Sequence, residues 1–181
     1  MANWCFSEVC VDGDTRAVGE LYLMMRRLES MDKPLIENDF GVAWYGNLVQ
    51  RLGGDYRSMH CRGHWMELQL VGSVLKWADM AAWGPVIDVF GLIERVWPGL
   101  RVYFSAEEES NEVFLTNDTT GRHFTSRYIL STEQGWTYHD DEASLLNDAS
   151  AQYGKRIMTL DQLWDIIGLM DDWSLHEFEV M

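Results

Sequence analysis

Lysine and arginine are scarce in this sequence. Its 181 residues contain 14 of them against 29 Asp and Glu, which gives a formal net charge of −15. A surface of this sign repels phosphate backbones, so we expect no direct nucleic-acid binding and expect basic partners instead. The imbalance lies late in the chain, since residues 105–181 carry 4 Lys and Arg against 16 Asp and Glu. Solubility alone is the alternative explanation of this acidity.

Cysteines and long apolar runs are also few. The three cysteines, Cys5, Cys10 and Cys61, contain no Cys-x-x-Cys pair. This disfavours a disulfide framework and favours a reducing, cytoplasmic location. No apolar run approaches the roughly 20 residues that span a bilayer, so no membrane association is expected. The start of the chain lacks the basic and apolar regions of a signal peptide.

Hydrophobic periodicity predicts a chain in which strands and helices alternate. Strands are predicted at residues 4–11, 64–71, 74–81, 100–105, 113–116 and 124–130. The segment 175–180 favours a strand, with a frayed helix as the alternative. Helices are predicted at 14–28, 42–52, 85–97, 144–153 and 159–170. Short turns between the strands at 100–105, 113–116 and 124–130 predict an antiparallel meander.

This order of elements predicts an α+β fold. It fits a ferredoxin-like split β-α-β sheet, mostly antiparallel, with helices packed on one face. We predict one domain over residues 1–181, with a sheet core at 1–130 and an acidic, mostly helical C-terminal extension at 131–181. Large side chains are expected to fill the core, including Trp44, Trp65, Trp77, Trp83 and Trp97.

The last predicted helix has a capping box at its start, from Thr159 to Gln162. An apolar stripe follows, formed by Leu160, Leu163, Trp164, Ile167 and Met170. We expect this stripe to pack on the sheet and to bury Trp164. An exposed Trp164 would instead make the stripe a partner-binding surface, because contiguous exposed apolar patches usually mark interaction sites.

Clustered carboxylates are the candidate binding residues for a basic protein surface. They are Glu107, Glu108, Glu109, Asp140, Asp141, Asp161 and Asp165. Asp140 and Asp141 have an alternative, structural role, because acidic residues at a helix N-terminus are favoured by the helix dipole. No base or metal motif accompanies the carboxylates, so the sequence favours a protein–protein interaction module over an enzyme.

A histidine–cysteine group supplies the alternative function, a small enzyme or metal-binding protein. His60, Cys61 and His64 lie within five residues, near further carboxylates. Structural zinc usually needs four convergent ligands, and no second cluster provides the rest. The chain also lacks a Gly-x-Ser-x-Gly elbow and a phosphate-binding P-loop. No cofactor is therefore expected.

The beginning of the chain resembles a known family. Met1-Ala2-Asn3-Trp4-Cys5, followed by the segment from Val9 to Asp14, is similar to the start of the YubB-like, ferredoxin-fold family of uncharacterised plasmid and phage proteins. The segments Trp44–Leu48 and Cys61–Gly63 are similar as well, whereas Phe6 and Glu8 depart from the pattern. The resemblance implies a ferredoxin-like sheet and an origin on mobile elements. It implies no activity and no site residues.

Overall fold

The computed structural model describes residues 3–181 and contains two compact units, Met1–Val113 (unit 1) and Phe114–Met181 (unit 2). Both units combine strands with helices. The predicted α+β class, with mostly antiparallel strands, is therefore confirmed. Among the described helices, none has the length and apolar character that crossing a membrane requires.

The described residues of unit 1 form four complete strands and three α-helices, besides a 3₁₀ turn at Glu109–Asn111. They are β1 (Trp4–Gly13), α1 (Thr15–Glu29), α2 (Tyr45–Arg51), β2 (Gly63–Val71), β3 (Val74–Ala82), α3 (Ile87–Val96) and β4 (Leu100–Glu108). The strands lie in the order β2-β3-β1-β4, and each neighbouring pair is antiparallel. The hairpin predicted at residues 64–81 is thus confirmed.

The two faces of β1 differ because successive side chains of a strand point to opposite sides. Cys5, Ser7 and Val9 are buried, whereas Trp4 and Phe6, which alternate with them, are exposed. Helix α1 packs against β1, β2 and β3, and α3 packs against β4. The core of unit 1 therefore forms between these helices and the sheet.

Helix α1 shows how the sequence sets this packing. The Asp14 carboxylate accepts a hydrogen bond from the Ala17 N–H (2.8 Å) and caps the helix. Buried side chains then recur every three or four residues, at Val18, Leu21, Met25 and Leu28. This is the spacing that keeps one face of a helix on a core.

Unit 2 has a second sheet and two helices. Its elements are β5 (Val113–Thr116, shared with unit 1 at its first residue), β6 (Tyr128–Thr132), β7 (Gly135–His139), α4 (Glu142–Tyr153), α5 (Leu160–Ile167), β8 (Ser174–Glu177) and β9 (Glu179–Val180). Strands β7-β6-β8 form an antiparallel sheet, and β5 pairs with β9 in parallel. The strand predicted near the end of the chain is confirmed as β8 and β9.

The predicted hairpin between residues 113–116 and 124–130 is wrong. Strand β6 pairs with β7 and β8 instead. The loop after β5 turns around the buried Asp118, whose Oδ2 accepts hydrogen bonds from the N–H groups of His123 (2.6 Å) and Phe124 (3.0 Å). This carboxylate gives the loop a fixed path that strand periodicity does not reveal.

The core of unit 2 forms where α4 and α5 meet β6 and β8. Its buried members are Leu130, Leu145, Leu146, Ala149, Ile157, Leu163, Trp173 and Leu175. A smaller apolar cluster consists of Phe114, Ile129 and Phe178. Helix α5 thus has a core to pack on within its own unit.

Candidate functional site

Helix α5 begins where the capping box predicts. The Thr159 Oγ1 accepts a hydrogen bond from the Gln162 N–H (3.3 Å), and the Gln162 Oε1 accepts one from the Met158 N–H (2.9 Å). The helix ends at Ile167, earlier than predicted. The next amides, of Leu169 and Met170, bond to carbonyls three residues back, which is the tighter geometry of a helix end.

The expected burial of Trp164 is wrong. Leu163 is fully buried, but half of Trp164 is exposed (50%). Successive residues of a helix lie about 100° apart. Because Leu163 points at the core, with Leu160 and Ile167 beside it, Trp164 is turned away from that core.

Other apolar side chains next to Trp164 in the sequence are also exposed. Leu169 is 83% exposed, and Met158 and Met170 are exposed as well. Asp161 and Asp165 of the same helix face solvent. We call these six residues the α5 surface: Met158, Asp161, Trp164, Asp165, Leu169 and Met170. It combines large apolar side chains with carboxylates.

The chain after Arg156 is acidic, whereas the exposed Lys155 and Arg156 lie beside Met158 at the start of the α5 surface. Residues 157–181 contain six Asp and Glu and neither Lys nor Arg. Asp161 lies one turn before Trp164, at the i−3 position that is adjacent on a helix surface. Asp171 and Asp172 follow directly after Met170 and are exposed. The charged residues nearest to Trp164 in the sequence, Asp161 and Asp165, are therefore both negative.

The predicted pair Asp140 and Asp141 has local structural roles. Asp141 caps α4, with its Oδ1 accepting from the Ser144 N–H (2.7 Å). This hydrogen bond lowers the pKa of Asp141. Asp140 Oδ1 accepts from the Thr125 hydroxyl (2.8 Å). Both side chains remain exposed, so their charges still add to the acidic surface of unit 2.

The predicted group Glu107, Glu108 and Glu109 lies at the end of β4 in unit 1. Glu108 is buried and caps a short 3₁₀ turn, accepting from the N–H groups of Ser110 (2.9 Å) and Asn111 (3.0 Å). Burial opposes its ionisation, but these hydrogen bonds outweigh burial and lower its pKa. Glu109 is exposed. The group thus combines a structural cap with a surface charge.

The structure does not bring His60, Cys61 and His64 together as metal ligands. Within residues 3–181, no group of three or more His, Cys, Asp or Glu side chains is arranged to hold a metal ion. Cys61 donates to the Tyr56 carbonyl (3.3 Å). Burial, with a smaller contribution from Asp88, raises the pKa of its thiol. A protonated thiol is a poor ligand, because metals bind the thiolate.

Unit 1 contains a buried polar network that no pattern in the sequence indicates. The Tyr45 hydroxyl donates to Asp79 Oδ2 (2.6 Å), and the Trp77 Nε1–H donates to the Tyr45 oxygen (2.8 Å). Asp79 Oδ1 and the Oγ of Ser7, its partner across the β1–β3 ladder, are buried without hydrogen bonds. Burial raises the pKa of Asp79 to about 7 and that of Tyr45 well above its usual range.

Strongly shifted carboxyl groups often mark active sites. Asp79 and Tyr45, however, have no exposed surface, and Trp77 is almost fully buried as well. A substrate has no direct route to them, so this network supports the core and does not form a catalytic site. The exposed residues of unit 2 remain the candidate functional surface.

Comparison of the chain with protein family models, with curated proteins and with solved structures gives no match.

Proposed function

We propose that this protein is an interaction module whose α5 surface binds a basic segment of a partner protein. The carrying observation is Trp164, a large aromatic side chain that is half exposed on an acidic helix. Exposure of apolar groups to water is unfavourable, so a partner that covers them gains binding free energy.

The chemistry of the surface favours Lys and Arg side chains on the partner. A cation placed over an indole ring is attracted by its negative face, and Trp is the best of the aromatic residues for this contact. Asp161 and Asp165 would pair with further cations. Leu169 and Met158 supply apolar area for the methylene stems that Lys and Arg bury while their charged heads stay in water.

The test is calorimetric titration with an amphipathic peptide of alternating lysine and leucine blocks, at low and at moderate salt. We expect micromolar binding that weakens as salt rises. Trp164→Ala should weaken it by about tenfold or more, as expected for a central aromatic contact. Asp161→Asn with Asp165→Asn should reduce both the affinity and its salt dependence.

Matched controls lie in unit 1. Trp83 is also half exposed, contrary to its expected burial, and Trp83→Ala should leave the affinity unchanged. Asp32→Asn with Asp39→Asn removes the same charge from exposed positions. If Trp164→Ala leaves the affinity unchanged and both double Asp→Asn variants reduce it equally, net charge alone attracts the peptide.

We also propose that unit 1 has the ferredoxin-like split β-α-β arrangement, as the resemblance to the YubB-like family implies. The β2-β3-β1-β4 order, its antiparallel pairs and the helices after β1 and β3 support this. An origin on a plasmid or phage is part of the same proposal. A cytoplasmic location is supported by the free state of Cys5, Cys10 and Cys61.

A further inference from the structure

The outer side of α1 borders a cleft of about 520 Å³ in unit 1. This volume falls within the range of roughly 300–1,000 Å³ that is typical of small-molecule sites. The apolar lining consists of Leu23, Met24, Leu28, Met31, Leu35 and Trp97. Leu28 is buried, while Leu23, Met31 and Leu35 are exposed, so an apolar ligand would cover side chains that now face water.

Three charged side chains line the same cleft: Glu20, Arg27 and Arg51. Glu20 already has partners, because Arg16 pairs with it (2.9 Å) and the Trp97 Nε1–H donates to it (3.3 Å). In the part of the chain that the structure describes, Arg27 and Arg51 make no ion pair. The uncompensated charge of the cleft is therefore positive.

Unpaired arginines beside an apolar cleft stand out in a chain of net charge −15. We propose that this cleft binds a single-chain amphiphile with a carboxylate head, such as a fatty acid. The chain lies along the leucine and methionine side chains, and the head pairs with Arg27 and Arg51. Guanidinium groups suit this role because their planar forks match the geometry of a carboxylate.

The occupant is a monomeric amphiphile and not a membrane surface. An anionic bilayer is repelled by the net charge of the protein, whereas one carboxylate in the cleft meets two arginines and a glutamate that is already paired with Arg16. The site lies in unit 1 and does not depend on the basic partner proposed for the α5 surface.

Calorimetric titration with dodecanoate, kept below its micellar concentration, tests the proposal. We expect a dissociation constant in the micromolar range. Dodecyltrimethylammonium, which has the same chain and the opposite charge, should bind more weakly than dodecanoate by about tenfold or more. Acetate should not bind. Arg27→Gln with Arg51→Gln should weaken dodecanoate binding by about tenfold or more, since charge-assisted hydrogen bonds are lost.

The matched control is Arg57→Gln with Arg62→Gln, which removes the same charge from two exposed arginines outside the cleft. It should leave dodecanoate binding unchanged. An equal loss in both double variants, or equal affinity for the cationic amphiphile, would overturn the proposal. The proposal would also be overturned if the protein sediments with phosphatidylglycerol vesicles but does not bind dodecanoate. Urea unfolding of the variants checks that all of them are folded.

Discussion

At the scale of single residues, the buried Asp79 should make the stability of unit 1 depend on pH. Its carboxyl group has no exposed surface, and burial raises its pKa from 3.8 to about 7 against the opposing hydrogen bond from Tyr45. The folded state therefore holds a proton that the unfolded state releases near pH 4.

The sign of the effect follows from linkage. The stability that Asp79 contributes is fully present below about pH 4 and is lost as pH rises through 7. Between pH 5 and pH 8 the loss should be on the order of 2–3 kcal/mol. Asp79→Asn, which stays neutral, should remove this part of the pH dependence in urea unfolding.

The control for Asp79 is Asp39→Asn, which removes an exposed carboxylate of the same unit. It should keep the wild-type pH profile. A profile of Asp79→Asn that is parallel to the wild type from pH 5 to pH 8 would show that Asp79 is already ionised in the folded protein at pH 5.

At the scale of elements, α5 depends on its cap. An eight-residue helix is too short to be stable by itself in water. Thr159→Ala removes the hydroxyl that accepts the Gln162 N–H and should cost about 1 kcal/mol in urea unfolding. The Leu163 amide, which bonds to the Thr159 carbonyl (3.1 Å), should exchange its hydrogen faster.

Thr119→Ala is the matched control for the cap, because Thr119 is an exposed loop threonine of unit 2. Neither the midpoint nor the exchange rate of Leu163 should change in it. If Thr159→Ala leaves the exchange of Leu163 unaltered, packing of Leu163 alone holds the first turn of α5.

Sequence patterns predict elements well where one face is buried and the ends are capped. Helix α1 satisfies both conditions through Asp14 and its buried stripe, and its predicted limits agree with the observed ones to within one residue. Periodicity fails where a polar side chain organises the backbone. Asp118 fixes the loop before β6, and β7 was not predicted because its residues, from Gly135 to His139, are mostly exposed.

The candidate site was only partly predictable for a related reason. Composition shows the acidity of residues 157–181 and the capping box shows where α5 starts. Whether Trp164 or Leu163 points at the core depends on packing against Leu130 and Leu145, which are distant in sequence. The buried pair of Tyr45 and Asp79 joins residues 34 positions apart and has no local signature.

At the scale of the whole molecule, the net charge of −15 is a force that opposes compactness. Like charges are closer together in the folded chain than in the unfolded one, so their repulsion lowers the free energy of unfolding. The Arg16–Glu20 bridge is exposed and the Arg26–Glu29 bridge is partly exposed, so each contributes little to stability.

Salt should therefore stabilise this protein at neutral pH. Raising NaCl from about 20 mM to about 200 mM shortens the Debye length from roughly 20 Å to below 10 Å and screens the repulsion. We expect the free energy of unfolding in urea, an uncharged denaturant, to rise on the order of 1 kcal/mol at pH 7.5. Near pH 4.5, the isoelectric point of the sequence, the same increase in salt should have little effect. An equal salt effect at both pH values would assign it to ion-specific hydration, and a lower stability in salt at pH 7.5 would mean that local ion pairs outweigh the repulsion.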